Sequence, residues 1–228
     1  MPDLAPRLLT DDFIDEVVRR LVSEAVDSAD RLILGIAGIA ASGKSTLAER
    51  IVDQANAARG QIAVLIPLDG FHLPNAKLVA DGLIDRKGAP FTYDIDAYLK
   101  TLATFRRQSE VGGFPRYCRK VHEPVTADQS VTSETRLIVT EGQYLAVASP
   151  PWKTLGEIFH ETWWLDTPPA LARRWLLGRD LAVGRTNDQA LSKYQTNDRL
   201  NVSEALSSRR TVDLVVRWLA DASGASSG

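Results

Sequence analysis

An apolar run followed directly by a glycine-rich loop constrains the fold of this chain most. The run is RLILGIA, and the loop GIAASGKS at residues 38–45, called the phosphate loop below, has the spacing G-x-x-x-x-G-K-S. A strand, such a loop and a helix in this order are typical of a site whose backbone N–H groups converge on phosphate. The sequence therefore predicts a nucleotide site where a strand ends and a helix begins. The alternative is a chance glycine-rich turn that caps a helix.

Short apolar strands alternate with helical patterns along the rest of the chain. Four runs rich in branched residues are predicted to be buried strands: LILGIA, IAVLIPL, RLIVTE and VDLVVRW. ETWWLD is a weaker candidate for a fifth strand. The alternation predicts one α/β domain over residues 1–228, in which a five-stranded, mostly parallel sheet has helices on both faces. Together with the phosphate loop, this architecture predicts a P-loop NTPase fold. Apolar spacing predicts an amphipathic helix over residues 10–28, and small polar residues predict a frayed tail at 221–228.

Composition excludes several classes of partner. The formal net charge is -2 and the basic residues are spread along the chain, so we expect no nucleic-acid partner. Cys118 is the single cysteine, which excludes an internal disulfide and a cysteine-cluster metal site. The N-terminus does not resemble a signal peptide, and no window reaches the roughly 18 apolar residues of a membrane span. We therefore expect a cytoplasmic protein with a small-molecule substrate and no membrane partner.

The residues of the phosphate loop have distinct expected roles. Lys44 is expected to reach the β and γ phosphates of a nucleotide, and Ser45 to place its hydroxyl on Mg²⁺. Thr46 is expected to help close the loop. The other nucleotide-binding candidates are Gly38, Ala41, Ser42 and Gly43. The loop alone leaves open whether the γ-phosphate goes to water, to a metabolite or nowhere.

Two acidic residues follow other predicted strands. Asp69 comes after IAVLIPL, where a carboxylate beside the phosphate loop could accept the proton of a substrate hydroxyl. An ordinary turn aspartate ahead of Gly70 is an equally good interpretation from these two residues. Glu141 ends RLIVTE, where it could hold Mg²⁺ directly or through water. The alternative for Glu141 is a capping residue.

A longer stretch carries a family resemblance. DGFHLPNAKLVADGLIDRKGAPFTYD, residues 69–94, resembles the matching region of bacterial pantothenate kinase, and RKGAP is similar to a branch of bacterial uridine or fructose kinases. The layout from about residue 32 to 217 resembles the phosphoribulokinase, uridine kinase and pantothenate kinase family. The resemblance implies ATP as donor, Mg²⁺ as cofactor, Asp69 as catalytic base and Glu141 near the magnesium. It also implies a set of acceptor-binding residues: Phe71, His72, Arg86 and Lys87.

A second segment, PRYCRKVH, follows the uridine kinase pattern P-x-Y-D-x-x-x-H. The resemblance implies that Tyr117 and His122 touch the acceptor substrate. Cys118 stands where that pattern has an aspartate, so the acceptor pocket departs from the family pattern. A solvated loop histidine is an equally good interpretation of His122.

The segment ARRWLLGRDLAVGRTND predicts a lid over residues 173–187. A kinase must exclude water from the γ-phosphate, and a mobile cover carrying arginine suits that need. Arg179 follows Trp175 by four residues, as in the similar lid of pantothenate kinase, so we expect Arg179 to be catalytic. Arg185 follows a candidate glycine hinge and is expected to bind the nucleotide. For Arg173 and Arg174, which open a predicted helix, a solvated helix face is the better interpretation.

The segment NDRLN contributes Asn197, Asp198 and Asn201. Similar elements occur in the uridine or fructose kinase branch and suggest a structural or substrate-facing role. Polar residues on a helix surface are the alternative, which we prefer slightly.

Two functions are compatible with these patterns. The first is an ATP-dependent kinase that phosphorylates a hydroxyl of a small metabolite: a nucleoside such as uridine, pantothenate or a sugar. The second is a nucleotide-dependent regulatory switch or NTPase module. A switch should carry Asp-x-x-Gly after its third strand, and this chain has EGQY there, which favours the kinase. Phe91 stands where uridine kinases have an acid, which argues mildly against a strict uridine kinase. Relatives are often oligomers, so a homodimer is an open alternative to a monomer.

Overall fold

The computed structural model describes residues 5–219, so the predicted tail at 221–228 lies outside it. The strands of the described part form two sheets: β1 (Arg7–Leu9), β2 (Leu32–Ala37), β3 (Ala63–Leu65), β4 (Gly112–Cys118), β5 (Glu123–Val131), β6 (Leu137–Gly142), β7 (Glu161–Leu165) and β8 (Leu214–Trp218). The main sheet is fully parallel and has the order β1-β8-β7-β2-β6-β3. The predicted α/β class is confirmed. The predicted count of five strands is wrong, because β1 joins β8 at the edge of the sheet.

Both faces of the main sheet are covered, which explains the unbroken apolar runs of its strands. Successive residues of β2 enter different cores: Ile33 belongs to one hydrophobic cluster, whereas Leu34 and Ile36 belong to the other. Each of these side chains is buried. A strand with period-two side chains can be apolar throughout only when neither face meets water.

Helices lie between the strands. Their bounds are α1 (Asp11–Asp27), α2 (Lys44–Arg59), α3 (Asn75–Ala80), α4 (Ile95–Arg106), α5 (Leu155–Ile158), α6 (Pro169–Ala182), α7 (Asn187–Lys193) and α8 (Arg199–Ser207). Helix α1 begins after Thr10, whose side chain accepts a hydrogen bond from the Phe13 backbone N–H at 3.1 Å. Its apolar stripe, from Phe13 to Ala25, is buried. No helix of the described residues combines the length and apolarity that crossing a membrane requires.

An antiparallel hairpin, β4–β5, lies outside the main sheet in a segment for which the sequence predicted no strand. The hairpin covers the short 3₁₀ turn Leu68–Phe71, called the Asp69 turn below. A Cβ atom at Gly70 would lie 2.3 Å from the Pro115 backbone oxygen, so only glycine allows this approach. The hairpin therefore forms one wall beside Asp69.

The predicted lid differs from the structure at its start. Helix α6 begins at Pro169, so Arg173 and Arg174 lie inside the helix rather than opening it. Gly184 has φ +90° and separates α6 from α7, as expected for a turn glycine. A single π-helical turn, Tyr194–Asp198, then connects α7 to α8.

Candidate active site

The phosphate loop joins β2 to the start of α2. Gly43 is the N-cap of α2 with φ +89°, and Ala41 is also in the left-handed region with φ +58°. In the described part of the chain, the backbone N–H groups of residues 43–46 have no hydrogen-bond partner. The Ser42 hydroxyl is also buried without a partner there. Unpaired donors at the positive end of a helix fit a phosphate group.

Two side chains of the phosphate loop meet the next strand. Lys44 is buried, and its ammonium donates to the Ile39 carbonyl oxygen at 2.9 Å. Burial lowers the pKa of Lys44, against the charges of Glu141 and Asp69, which raise it. Ser45 Oγ donates to Glu141 Oε1 at 2.9 Å. Burial raises the pKa of Glu141, and the nearby Lys44 charge opposes that rise.

The Ser45 and Glu141 pair suits a magnesium ion chemically. A hydroxyl and a carboxylate are hard oxygen donors, which Mg²⁺ prefers. Glu141 lies on β6, which pairs directly with β2 in the sheet. The predicted pair is therefore brought together at the carboxyl edge of adjacent strands.

Asp69 lies in the Asp69 turn, four residues beyond the end of β3 rather than at the strand edge as predicted. Its side chain is 56 % exposed. Tyr93 Oη donates to Asp69 Oδ1 at 3.4 Å, and His72 Nε2 lies 3.7 Å from the same oxygen. Leu68, the residue before Asp69, packs against Gly142, the residue after Glu141, where a Cβ atom would lie 2.7 Å from the Leu68 side chain. The Asp69 turn is therefore a neighbour of the strand end that holds Glu141 beside Ser45, and the charge of Asp69 raises the pKa of both Lys44 and Glu141.

Aromatic rings form a wall beside Asp69. The His72 ring stacks on Tyr93 with centroids 4.0 Å apart, and Tyr117 of the hairpin lies 5.3 Å from His72. Burial lowers the pKa of His72 and raises the pKa of Tyr93 well above its usual range. Burial and the Asp69 charge raise the pKa of Tyr117. At neutral pH the wall thus presents a neutral imidazole and two phenols.

Lys87 lies beside Tyr117, a member of this aromatic wall. Its ammonium donates to Asn75 Oδ1 and to the His122 backbone oxygen, each at 2.5 Å, and lies 5.3 Å from the centre of the Tyr117 ring. Burial lowers the pKa of Lys87, and the charges of Glu123 and Asp69 oppose that change. His122 itself is exposed in the hairpin turn with φ +53°. Its backbone, rather than its ring, makes the contact with Lys87.

Phe71 differs from its predicted role. The side chain is 4 % exposed and belongs to a hydrophobic core cluster, where its ring packs edge-on against Tyr98. The structure thus makes Phe71 a core residue, not part of the aromatic wall beside Asp69.

The lid arginines have different environments. Arg179 is exposed, and its guanidinium makes no hydrogen bond or ion pair with the residues that the structure describes, yet its charge lowers the pKa of Lys44. Arg185 instead pairs with buried Asp180, Nη1 to Oδ1 at 2.7 Å. Arg173 lies over the Tyr194 ring at 5.3 Å. Among the arginines of the predicted lid, Arg179 is therefore the one whose charge acts on the pKa of Lys44 in the phosphate loop.

The role of Tyr93 was missing from the sequence-based predictions, and the environment of three polar residues of the segment NDRLN was predicted wrongly. Tyr93, the hydrogen-bond donor to Asp69, was not predicted, although it lies within the segment that carries the resemblance. Asn197, Asp198 and Asn201 are buried, so the preferred interpretation of these residues as helix-surface polar groups is wrong. The sequence alone does not tell which face of a predicted helix packs against the rest of the protein. Whether a polar side chain on such a helix is buried or exposed therefore could not be predicted.

Comparison with known proteins shows which proteins this chain is similar to. No family model matches the chain. A Schizosaccharomyces pombe protein named "Putative uridine kinase" is 27 % identical over 213 residues, which are 90 % of each chain. A solved structure from Silicibacter sp. TM1040, titled a "putative fructose transport system kinase", is 29 % identical with a TM-score of 0.81, covering 89 % of this chain and 98 % of that one.

Pantothenate kinases match over a smaller share of their length. The pantothenate kinase of Nocardioides sp. is 29 % identical over 220 residues, which are 83 % of this chain and 65 % of that enzyme. The pantothenate kinase of Limosilactobacillus reuteri is 33 % identical over 149 residues, 48 % of its length. These matches confirm the predicted kinase class over the regulatory-switch alternative. The chain is similar to uridine kinases and pantothenate kinases, and it is an ATP-dependent small-molecule kinase.

Proposed function

We propose that the enzyme transfers the γ-phosphate of ATP to a hydroxyl of a small polyhydroxylated metabolite bound in front of Asp69, with the hairpin as one wall of the site. One observation carries the proposal: the Ser45 hydroxyl of the phosphate loop donates to Glu141 Oε1 at 2.9 Å, and Gly142, the next residue, packs so closely on Leu68, the residue before Asp69, that a Cβ atom there would lie 2.7 Å from the Leu68 side chain. The phosphate loop, the candidate metal ligand and the candidate base therefore lie side by side, and the charges of Asp69 and Arg179 both act on the pKa of Lys44. Such a combination suits phosphoryl transfer, which depends on positioning and charge stabilisation.

Each group has a defined task in this proposal. The unpaired N–H groups of the phosphate loop and Lys44 bind the phosphates, and Ser45 and Glu141 hold Mg²⁺. When bound, Mg²⁺ neutralises developing phosphate charge. Asp69 takes the proton of the acceptor hydroxyl while that oxygen bonds to the γ-phosphorus. The bond between the γ-phosphorus and the bridging oxygen breaks at the same time, so the products are ADP and the phosphorylated acceptor.

The acceptor belongs to one of three chemical classes: a nucleoside, pantothenate or a sugar. The names of the two relatives matched over most of their length point to a nucleoside and a sugar. Pantothenate is named by relatives that the chain matches over part of their length. Phe91 is 53 % exposed and its ring lies 5.6 Å from the Arg86 guanidinium, so it offers no acid for ribose hydroxyls. The absence of an acid at this position argues against uridine as the acceptor.

A coupled ADP-release screen tests the proposal with ATP, Mg²⁺ and uridine, pantothenate, fructose and other common sugars. One acceptor should give turnover well above the rate without acceptor. Asp69→Asn should lower kcat by about 10²- to 10⁴-fold with ATP binding nearly intact, because only the proton acceptor is lost. Asp96→Asn is the matched control, since Asp96 is an exposed carboxylate on α4. Wild-type turnover in the Asp69 variant would contradict the role of this carboxylate.

A further inference from the structure

A buried amide joins the π-helical turn to the segment that contains Arg86 and Lys87. Asn197 is 4 % exposed. Its Oδ1 accepts hydrogen bonds from Arg86 Nε at 3.1 Å and from Asn201 Nδ2 at 3.3 Å, and its Nδ2 donates to the Lys87 backbone oxygen at 2.9 Å. One side chain thus binds two consecutive residues, Arg86 and Lys87, from a position 110 residues away in sequence.

Lys87 connects the Asn197 contact to the elements around the proposed acceptor site. With its carbonyl held by Asn197, the Lys87 side chain reaches Asn75 at the start of α3 and the His122 carbonyl of the hairpin turn. Its ammonium also faces the Tyr117 ring. Moving the Lys87 backbone would therefore shift a cation that joins α3 to the hairpin turn beside the proposed acceptor site.

Asp198, the residue after Asn197, is bound by the helices that precede the π-helical turn. Asp198 accepts a hydrogen bond from Lys193 Nζ at 2.7 Å, and the same ammonium donates to Asp180 of α6 at 3.1 Å. Asp180 is 4 % exposed and also binds Arg185. This ion-pair network, whose aspartates are buried and whose cations are partly exposed, connects the π-helical turn to α6. A π-helical turn inside a helix often marks a functional position, because the extra residue redirects the side chains around it.

We propose that Asn197 is a positioning residue, which holds Arg86 and Lys87 in place for the acceptor substrate without touching the reacting atoms. The inference rests on the proposed function in placing the acceptor beside Lys87. Asn197 also restrains the backbone of residues 84–92, and this part of the proposal does not depend on catalysis.

Hydrogen–deuterium exchange of the peptide spanning residues 84–92 tests the restraint in Asn197→Ala. Amides in this segment bond locally, for example Ala89 N–H to the Arg86 oxygen at 2.9 Å and Gly88 N–H to Thr92 Oγ1 at 3.0 Å. Loss of the Asn197 contacts should speed their exchange about tenfold. The matched control is Val202→Ala, which removes buried apolar atoms from α8 and should leave this exchange unchanged. Equal exchange in Asn197→Ala and the wild type, or equal acceleration in both variants, would overturn the proposal.

Steady-state kinetics test the positioning role with uridine, pantothenate and fructose as acceptors. Asn197→Ala should raise the KM for the acceptor about tenfold and leave the KM for ATP within about twofold, since the phosphate loop is not touched. Val202→Ala should change neither constant. A parallel rise of both KM values in Asn197→Ala would overturn the positioning role. If no acceptor is phosphorylated by the wild type, the acceptor assignment fails, and the exchange experiment alone decides the restraint.

Discussion

The Ser45 hydroxyl donates a hydrogen bond to the Glu141 carboxylate at 2.9 Å, which joins the first turn of α2 to the end of β6. Glu141 is only 7 % exposed, and burial raises its pKa. The protein therefore holds a carboxylate in a place that disfavours its charge. Such an arrangement is expected where a cation completes the site.

Glu141→Gln should make the protein without nucleotide or metal more stable at pH 8 and should abolish most turnover. The folded-state pKa of Glu141 is raised, so folding favours the protonated form, and stability is lost as pH rises through that pKa. Glutamine resembles the protonated acid and can still accept the Ser45 hydrogen bond. The gain in unfolding midpoint should shrink toward pH 4, where the wild-type carboxyl is also protonated. Thermal unfolding at both pH values measures this difference.

The matched control for this substitution is Glu16→Gln. Glu16 is exposed on α1, so the same chemical change should leave the unfolding midpoint and turnover close to those of the wild type. A lower midpoint in Glu141→Gln at pH 8 would contradict the argument from burial.

Gly70→Ala should displace the hairpin from the Asp69 turn. The added Cβ would lie 2.3 Å from the Pro115 oxygen, and backbone atoms cannot move aside as a flexible side chain can. We expect a loss of stability of about 1–3 kcal/mol and a higher KM for the acceptor. In Gly113→Ala, the nearest atom to the added Cβ is the Gln129 oxygen at 3.8 Å, so this hairpin variant should behave like the wild type. Indistinguishable denaturation curves for Gly70→Ala and Gly113→Ala would refute the close contact.

Arg179→Ala should lower kcat by at least about 10²-fold, since a cation that stabilises transferred phosphate is lost. Arg179→Lys should restore only part of the rate, because a point charge cannot reproduce the planar donors of guanidinium. Arg174→Ala is the control, as Arg174 is exposed on the same helix. Single-turnover kinetics report the transfer step directly. An Arg179→Ala rate equal to that of Arg174→Ala would remove Arg179 from the mechanism.

The phosphate loop could be predicted from sequence because its parts are contiguous. The end of β2, the loop and the start of α2 occupy one unbroken stretch, and the glycine spacing reports a local backbone shape. Glu141 could also be assigned to the carboxyl edge of the sheet, since it ends an apolar run predicted to belong to the same parallel sheet as β2. That β6 pairs directly with β2 is a contact between distant segments, which the strand pattern alone does not give.

The rest of the site depends on contacts between distant segments. The hairpin has no clear alternation of apolar and polar residues, so its place over Gly70 leaves no sequence pattern. Asn197 resembles any polar helical residue until its contact with the Lys87 carbonyl is known. Strand β1 has three residues, too few to show a period. In each case tertiary packing, rather than local preference, decides the structure.

Arg31→Lys should destabilise the protein and spare catalysis. Arg31 is 1 % exposed, and its guanidinium donates to five backbone carbonyl oxygens at the amino end of the sheet: Phe105, Arg107, Gln108, Thr132 and Thr135. Lysine has three donors, so at least two carbonyls lose their partner, at a cost of about 3 kcal/mol.

Urea denaturation followed by circular dichroism measures this loss, with Arg59→Lys as the control, since Arg59 is exposed at the end of α2. The KM for ATP should stay within about twofold of the wild type below the unfolding transition, because Arg31 precedes β2 whereas the phosphate loop follows it. Equal midpoints for Arg31→Lys and Arg59→Lys would show that the carbonyl cluster does not depend on the guanidinium group.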